Sequence, residues 1–112
     1  MYCNSFDDDA AGLELLQRWM SAAGGKWALP ILDALADEPR RYNHLLANLG
    51  PVAPKVLTQT LRRLEAEALV AREPVGAYGR LYRLTVHGRD LRAHLGALRE
   101  RARQTARVPP AA

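Results

Sequence analysis

The sequence predicts a mainly α-helical α+β fold in a single domain. The first observation is that four segments with helical spacing of apolar residues precede one short pair of alternating segments. The second is that a fifth helical segment follows that pair. With 112 residues, of which 48% are hydrophobic and 25% charged, the chain has the size and composition of one ordinary globular domain.

The first three helices are predicted from apolar stripes and from the residues that end them. A stripe over about residues 9–22 stops at a Gly-Gly pair. The segment KWALPILDALAD follows as a second helix, which Pro39 ends. NHLLANL at 43–49 is the third helix, with Asn43 as its cap and a Gly-Pro pair behind it.

The fourth helix is predicted for KVLTQTLRRLEAEALV at 55–70. Its apolar residues recur at steps of four, three and four, at Leu57, Leu61, Leu64 and Ala68. Pro54 suits the first turn, because its missing N–H would have no partner there. Ala53 before it offers no side-chain acceptor, so this helix starts without a side-chain cap.

A hairpin and a final helix complete the chain. LVARE reads as a strand, VGAYG as a turn and RLYRLT as the returning strand. Thr85 can cap the last helix, over about 86–104. This order predicts a winged helix-turn-helix domain over residues 9–106 with extra N- and C-terminal helices. We expect flexible ends at 1–8, which is acidic, and at 107–112.

The charge is divided unevenly along the chain. The net charge of +4 combines about −5 over residues 1–38 with about +9 over residues 39–112. Fourteen of the sixteen basic residues are arginine, the side chain best suited to bidentate contacts with phosphate and guanine. This distribution favours an anionic polymer as partner.

The polar side of the fourth helix carries donors for nucleic acid. Lys55, Gln59 and Arg62 share one face, and Thr58 and Arg63 flank it. Gln pairs bidentately with adenine and Arg with guanine, while Thr reaches a base or a phosphate. The alternative for such a face is a merely solvated surface.

Further DNA contacts are predicted outside the fourth helix. Arg80 and Arg83 alternate on the hairpin, with Arg80 near its tip and able to enter a minor groove. The alternative is that both only keep the strand polar. The start of the third helix, where phosphates bind, is predicted to carry Arg40, Arg41, Tyr42 and Asn43.

The outer helices, about 9–22 and 86–104, are the predicted dimer surface. A two-fold dimer would cover their apolar stripes and present two copies of the fourth helix to successive half-sites. The alternative is that both helices fold back onto their own core. The residues assigned to this surface are Leu13, Leu16, Trp19, Met20, Leu91, Leu95 and Leu98.

Four blocks of this sequence resemble the HxlR-type winged-helix transcriptional regulators, relatives of the MarR group. They are GGKW at 24–27, RRYNHLLANL at 40–49, KVLTQTLRRLEAEALV at 55–70 and YRLTVHGRDL at 82–91. The resemblance covers about residues 13–98. It implies a dimeric DNA-binding regulator whose helix 54–67 enters the major groove and whose wing, residues 72–84, lies beside the minor groove.

The chain departs from that family in three ways, one of which is Ala53 where the family often has a serine cap. Several members sense electrophiles or oxidants through a cysteine that would fall near Leu13, whereas the single cysteine here is Cys3. Cys3 is thus a candidate redox sensor or an incidental thiol, next to acids that raise a thiol pKa. The wing is also about two residues shorter than usual. A small-molecule or oxidant effector is a further possibility, and its candidate site is an aromatic and apolar cleft between the dimer helices, lined by Trp19 and Trp27.

The sequence lacks the motifs of enzymes and metalloproteins. No catalytic motif or phosphate-binding glycine loop is present, so we predict neither an enzyme nor a cofactor. His87, Asp90 and His94 share a helical face by a spacing that arises readily by chance, so no metal site is predicted. No apolar run reaches the roughly 18 residues of a membrane span, and the acidic start differs from a signal peptide; we expect a cytoplasmic protein.

These patterns together predict a sequence-specific double-stranded DNA-binding regulator, a homodimeric repressor on a palindromic operator. Two alternatives stay open. One is a winged-helix module for protein–protein contact, which would carry an apolar or acidic outer face on the fourth helix. The other is a non-specific nucleic-acid binder without regulatory readout.

Overall fold

A computed structural model describes residues 4–77 and 79–107, with side chains from residue 9 onward. Within these residues five helices and three strands follow one another. The predicted order of helices and hairpin is confirmed, and one short strand is added. The elements are α1 (Asn4–Ala23), α2 (Ala28–Ala34), β1 (Arg40–Arg41), α3 (Tyr42–Asn48), α4 (Pro54–Ala66), β2 (Val70–Val75), β3 (Gly79–Leu84) and α5 (Val86–Arg107).

The two outer helices are longer than the sequence patterns indicated. α1 begins at Asn4, about five residues before the predicted start. α5 continues to Arg107, because its exposed last turns are rich in the good helix formers Arg and Ala.

The prediction that Arg40 and Arg41 begin the third helix is wrong. They form β1, which pairs antiparallel with β3 in the register Arg40↔Tyr82 and Arg41↔Leu81. α3 therefore starts at Tyr42, and its N-cap position is Arg41, in extended conformation and without a side-chain cap bond. The predicted Asn43 cap is wrong for the same reason. Because Arg41 pairs with β3 and the helix begins directly after it, the cap position falls on Arg41 and Asn43 lies within the helix.

The hairpin is confirmed and supplies two strands of a three-stranded sheet, in which β3 is central. β2 and β3 pair from Val70↔Leu84 to Val75↔Gly79, and the strand order is β1-β3-β2. Gly76 in the turn has φ +66°, a left-handed conformation that glycine adopts without steric cost.

One apolar core lies between the helices and the inner face of the sheet. The predicted stripe of α4 is confirmed at Leu57, Leu61 and Leu64, which are all buried. Ala68, the fourth predicted member, instead lies beyond the helix with φ +57°. The other fully buried large side chains are Ile31, Leu32, Leu35, Leu45 and Leu69.

Short contacts between α5 and the α4–β2 turn fix the start of α5. The Thr85 hydroxyl accepts a hydrogen bond from the N–H of Gly88 at 3.0 Å, as the predicted cap requires. The N–H of Thr85 also donates to the carbonyl oxygen of Leu69 at 3.1 Å. A Cβ on Gly88 would overlap that same carbonyl oxygen, so only glycine allows this approach.

Two arginines of α5 bind one carboxylate of α2. Arg92 Nε lies 3.0 Å and Arg99 NH1 2.7 Å from the two carboxylate oxygens of Asp33. Partial burial of Asp33 would raise its pKa, but the hydrogen bonds and charges of Arg99 and Arg92 outweigh this and lower the pKa below its ordinary value. None of the described helices is both long enough and apolar enough to span a membrane.

Candidate nucleic-acid interface

The outward face of α4 carries the predicted base-reading side chains. Lys55, Gln59 and Arg62 are exposed on the side opposite the buried leucines of the same helix. The helix starts with Pro54 and has no side-chain cap, as the sequence indicated. Its first-turn N–H groups are therefore not taken up by a cap side chain, and N–H groups in that position are suited to phosphate oxygens.

Thr58 is held by a tyrosine of α3. The Tyr42 hydroxyl lies 3.1 Å from Thr58 Oγ1 and 3.1 Å from the carbonyl oxygen of Pro54. Tyr42 therefore links the first turn of α4 to α3. The sequence predicts Tyr42 beside phosphates at the start of the third helix, but no local pattern relates residue 42 to residue 58.

Arg63 points towards α1 rather than straight outward. It is exposed and lines a cavity of about 260 Å³ between α1 and α4, together with Arg18 and Glu67. Arg18 Nε and a Glu67 carboxylate oxygen lie 3.0 Å apart, which ties α1 to the end of α4. On the other side, Glu65 lies 3.5 Å from Arg72 of β2.

The two hairpin arginines lie on opposite faces of the sheet. Alternation along β3 puts Arg80 on the face of Tyr82 and Leu84, and Arg83 on the other face. Arg83 Nε lies 4.0 Å from a Glu73 carboxylate oxygen, whereas Arg80 donates to the carbonyl oxygen of Gly79 at 3.2 Å. The two arginines therefore extend from opposite faces of the hairpin.

Of the predicted phosphate-contact residues, Arg40 is engaged within the protein. Its guanidinium donates to the carbonyl of Ala34 at 3.4 Å and lies 3.0 Å from Glu38. We therefore remove Arg40 from the candidate contacts. Arg41 and Asn43 are exposed and line one shallow cavity of about 470 Å³ with Arg80, so β1, α3 and β3 bring these three donors together.

The predicted dimer residues divide between the surface and the core. Leu13, Leu16 and Met20 on α1 are 54%, 46% and 60% exposed, and Leu98 on α5 is 64% exposed. Leu91 is only 7% exposed and belongs to the core, so we remove it from the dimer surface. Two further members, Trp19 and Leu95, are partly buried against that core.

The predicted cleft near Trp19 and Trp27 lies between the helices of two copies and stays a prediction. No group of three potential metal ligands lies together in the described part of the chain. His87 instead packs against Trp19, with ring centroids 5.9 Å apart, and both line a cavity of about 280 Å³ whose wall does not include Trp27. Cys3, the candidate redox sensor, lies outside the described residues.

Known proteins with a similar sequence are regulators. The chain is 40% identical over 55 residues to an uncharacterized HTH-type transcriptional regulator, BH0655, from Halalkalibacterium halodurans. The match covers 48% of this chain and 49% of that relative, so the chain spans about half of its length.

Solved structures with the same architecture cover most of the chain. A protein from Enterococcus faecalis V583, described as a transcriptional regulator of the MarR family, has a TM-score of 0.68 at 32% identity over 80% of this chain and 86% of that one. Quinone-bound YodB from Bacillus subtilis has a TM-score of 0.69 at 27% identity, over 80% and 96%. These likenesses confirm the winged-helix architecture.

The model of the HxlR-like helix-turn-helix family matches residues 22–108. The match includes α2 to α5 and the sheet, the elements that carry the candidate interface. It confirms the resemblance drawn from the four sequence blocks. The chain belongs to the HxlR-like helix-turn-helix family.

Proposed function

We propose that this chain is a sequence-specific double-stranded DNA-binding regulator of transcription. The observation that carries the proposal is the outward face of α4, where Lys55, Gln59 and Arg62 are exposed while the opposite face is buried. In helix-turn-helix proteins the second helix of the motif reads base edges with such residues. Membership of a helix-turn-helix family supports the same assignment.

The charges around α4 favour a polyanion over a protein surface. Lys55, Arg62 and Arg63 form no ion pair with any carboxylate among the described side chains. Three positive charges without internal partners are available to phosphates, and their contacts release counterions. A protein-contact module would need an apolar or acidic face here.

The hairpin is assigned to the minor groove beside the site read by α4. Arg80 would enter that groove, since it is exposed near the tip of the hairpin, where it donates to the carbonyl oxygen of Gly79. Arg41 and Asn43, which share a cavity with Arg80, would bind the intervening phosphates. Arg83 has a lesser part, because it lies on the other face of the sheet beside Glu73.

We assign the protein as a homodimer that acts as a repressor on a palindromic operator. The exposed leucines and methionine of α1, with Leu98 of α5, form apolar surface that a second copy would cover. A two-fold pair would place two copies of α4 on half-sites about one helical turn apart. Occupied operator DNA excludes polymerase without any activating surface, which favours repression.

The effector we propose is a small electrophile or oxidant. The support is the structural likeness to YodB, which was solved with quinone bound. Cys3 is the thiol available for such chemistry.

Iterative selection from random duplex DNA tests the main proposal. Enrichment of a two-fold site with half-sites about 10 bp apart would support a dimeric sequence reader. Binding without enrichment, abolished by moderate salt, would instead identify a non-specific polyanion surface.

A further inference from the structure

Two hydroxyl groups and one carbonyl group meet where α3 contacts the first turn of α4. Tyr42 Oη lies 3.1 Å from the carbonyl oxygen of Pro54 and 3.1 Å from Thr58 Oγ1. Tyr42 is partly buried and packs against the core. Thr58 is half-buried beside the exposed Gln59.

The direction of both hydrogen bonds follows from counting protons. A carbonyl oxygen only accepts, so the bond to Pro54 uses the single phenolic proton of Tyr42. The second bond then requires Thr58 to donate its own hydroxyl proton to Tyr42 Oη. Thr58 Oγ1 is left with lone pairs and no proton for any further partner.

We propose that Tyr42 makes Thr58 an obligatory acceptor and thereby a specificity-determining residue for the operator. In the major groove only adenine and cytosine present an amino group, at N6 and N4, whereas thymine and guanine present carbonyl oxygens. Thr58 therefore selects adenine or cytosine at the base it faces. With thymine or guanine there, the base carbonyl oxygen and Thr58 Oγ1 would face each other as two acceptors with no proton between them. The inference rests on the proposed function and adds a base preference to it.

Tyr42 acts in this scheme as a positioning residue that holds Thr58 and contacts no base. When the hydroxyl of Tyr42 is removed, Thr58 keeps its place on α4. Its own hydroxyl proton is then free to be donated to a base. The structural effect of Tyr42 is the bond to Pro54, and losing that bond alone would weaken binding to all sequences alike. A change in base preference at one position therefore distinguishes loss of the bond to Thr58 from loss of the bond to Pro54.

The test uses the operator selected by the wild-type chain, with the four base pairs substituted in turn at each position. We expect one position per half-site where adenine or cytosine binds about tenfold more tightly than thymine or guanine. In Tyr42→Phe this preference should fall to about twofold or less, with the other positions unchanged. Thr58→Val should abolish it, and Thr58→Ser should retain it.

Thr60→Val is the matched control, since Thr60 lies on the same helix and its hydroxyl donates to the carbonyl of Val56 at 2.8 Å. It should leave the preference intact. A selected operator on which Tyr42→Phe keeps its full base preference, or lowers affinity equally for every base, would overturn this inference alone. A wild-type chain that selects no sequence would overturn the proposed function as well.

Discussion

Gly88 of α5 lies against the carbonyl oxygen of Leu69 so closely that no side chain fits between them. Gly→Ala in a helix normally stabilises by about 1 kcal/mol. At Gly88 we expect the opposite sign, a loss of about 1–3 kcal/mol in unfolding free energy, because the obstacle is backbone and cannot rotate away. Urea unfolding of wild type and Gly88→Ala measures this difference in unfolding free energy.

Gly96→Ala is the control in the same helix, since a Cβ there meets nothing within 4 Å. It should stabilise the protein by about 0.5–1 kcal/mol. Equal effects at Gly88 and Gly96 would contradict the close approach of α5 to the α4–β2 turn.

Ala68 adopts φ +57° directly after α4, a conformation that costs a non-glycine residue about 1 kcal/mol. Ala68→Gly should therefore raise the unfolding free energy by about 0.5–1 kcal/mol. Ala66→Gly, two residues earlier and still helical, should lower it by a similar amount. Thermal unfolding of both variants measures these two changes in stability. Destabilisation by both would contradict the left-handed conformation of Ala68.

Asp33 binds two arginines of α5, and its pKa is lowered in the folded state. A carboxyl with a lowered folded pKa stabilises the protein above its unfolded pKa of about 3.9, and loses this effect as the pH falls through the folded pKa. Asp33→Asn should thus cost about 1 kcal/mol at pH 7 and progressively less below about pH 4.

Asp37→Asn is the control for this titration, because Asp37 is exposed and makes no ion pair with the described side chains. Its effect on unfolding should be close to zero at pH 7. A stability difference between wild type and Asp33→Asn that stays constant from pH 7 to pH 2 would argue against the paired carboxylate.

The exposed leucines of α1 give a prediction for assembly. Leu16→Glu places a charge on the proposed dimer surface and should shift the molecular mass measured by light scattering towards that of a monomer. Gln17→Glu, an exposed neighbour on α1, supplies the same charge and should leave the mass unchanged. A monomeric wild-type chain would contradict the proposed homodimer.

The sequence predicted those elements whose apolar residues repeat. The spacing of Leu57, Leu61 and Leu64 sufficed to orient α4, so the exposed face with Gln59 and Arg62 was correctly identified. Thr85 was recognised as a cap because a hydroxyl directly before an amphipathic helix has few other roles.

The errors concern contacts between residues far apart in the chain. A two-residue strand such as β1 has no periodicity, so the pairing of Arg40 with Tyr82 was missed, and with it the true start of α3. Leu91 belongs to the same stripe as Leu98, yet α5 crosses the core only near its start, so one leucine is buried and the other exposed. The bond between Tyr42 and Thr58 likewise depends on how α3 and α4 pack.

The most direct test of the central claim compares two arginine variants on two duplexes. Fluorescence anisotropy would measure the affinity of wild type, Arg62→Ala and Arg107→Ala for the selected operator and for a scrambled duplex. Arg62→Ala should lose about tenfold or more on the operator and much less on the scrambled DNA. Arg107→Ala removes an equal charge at the end of α5 and should leave the ratio between the duplexes unchanged. Equal losses on both duplexes in both variants would contradict a sequence-reading α4.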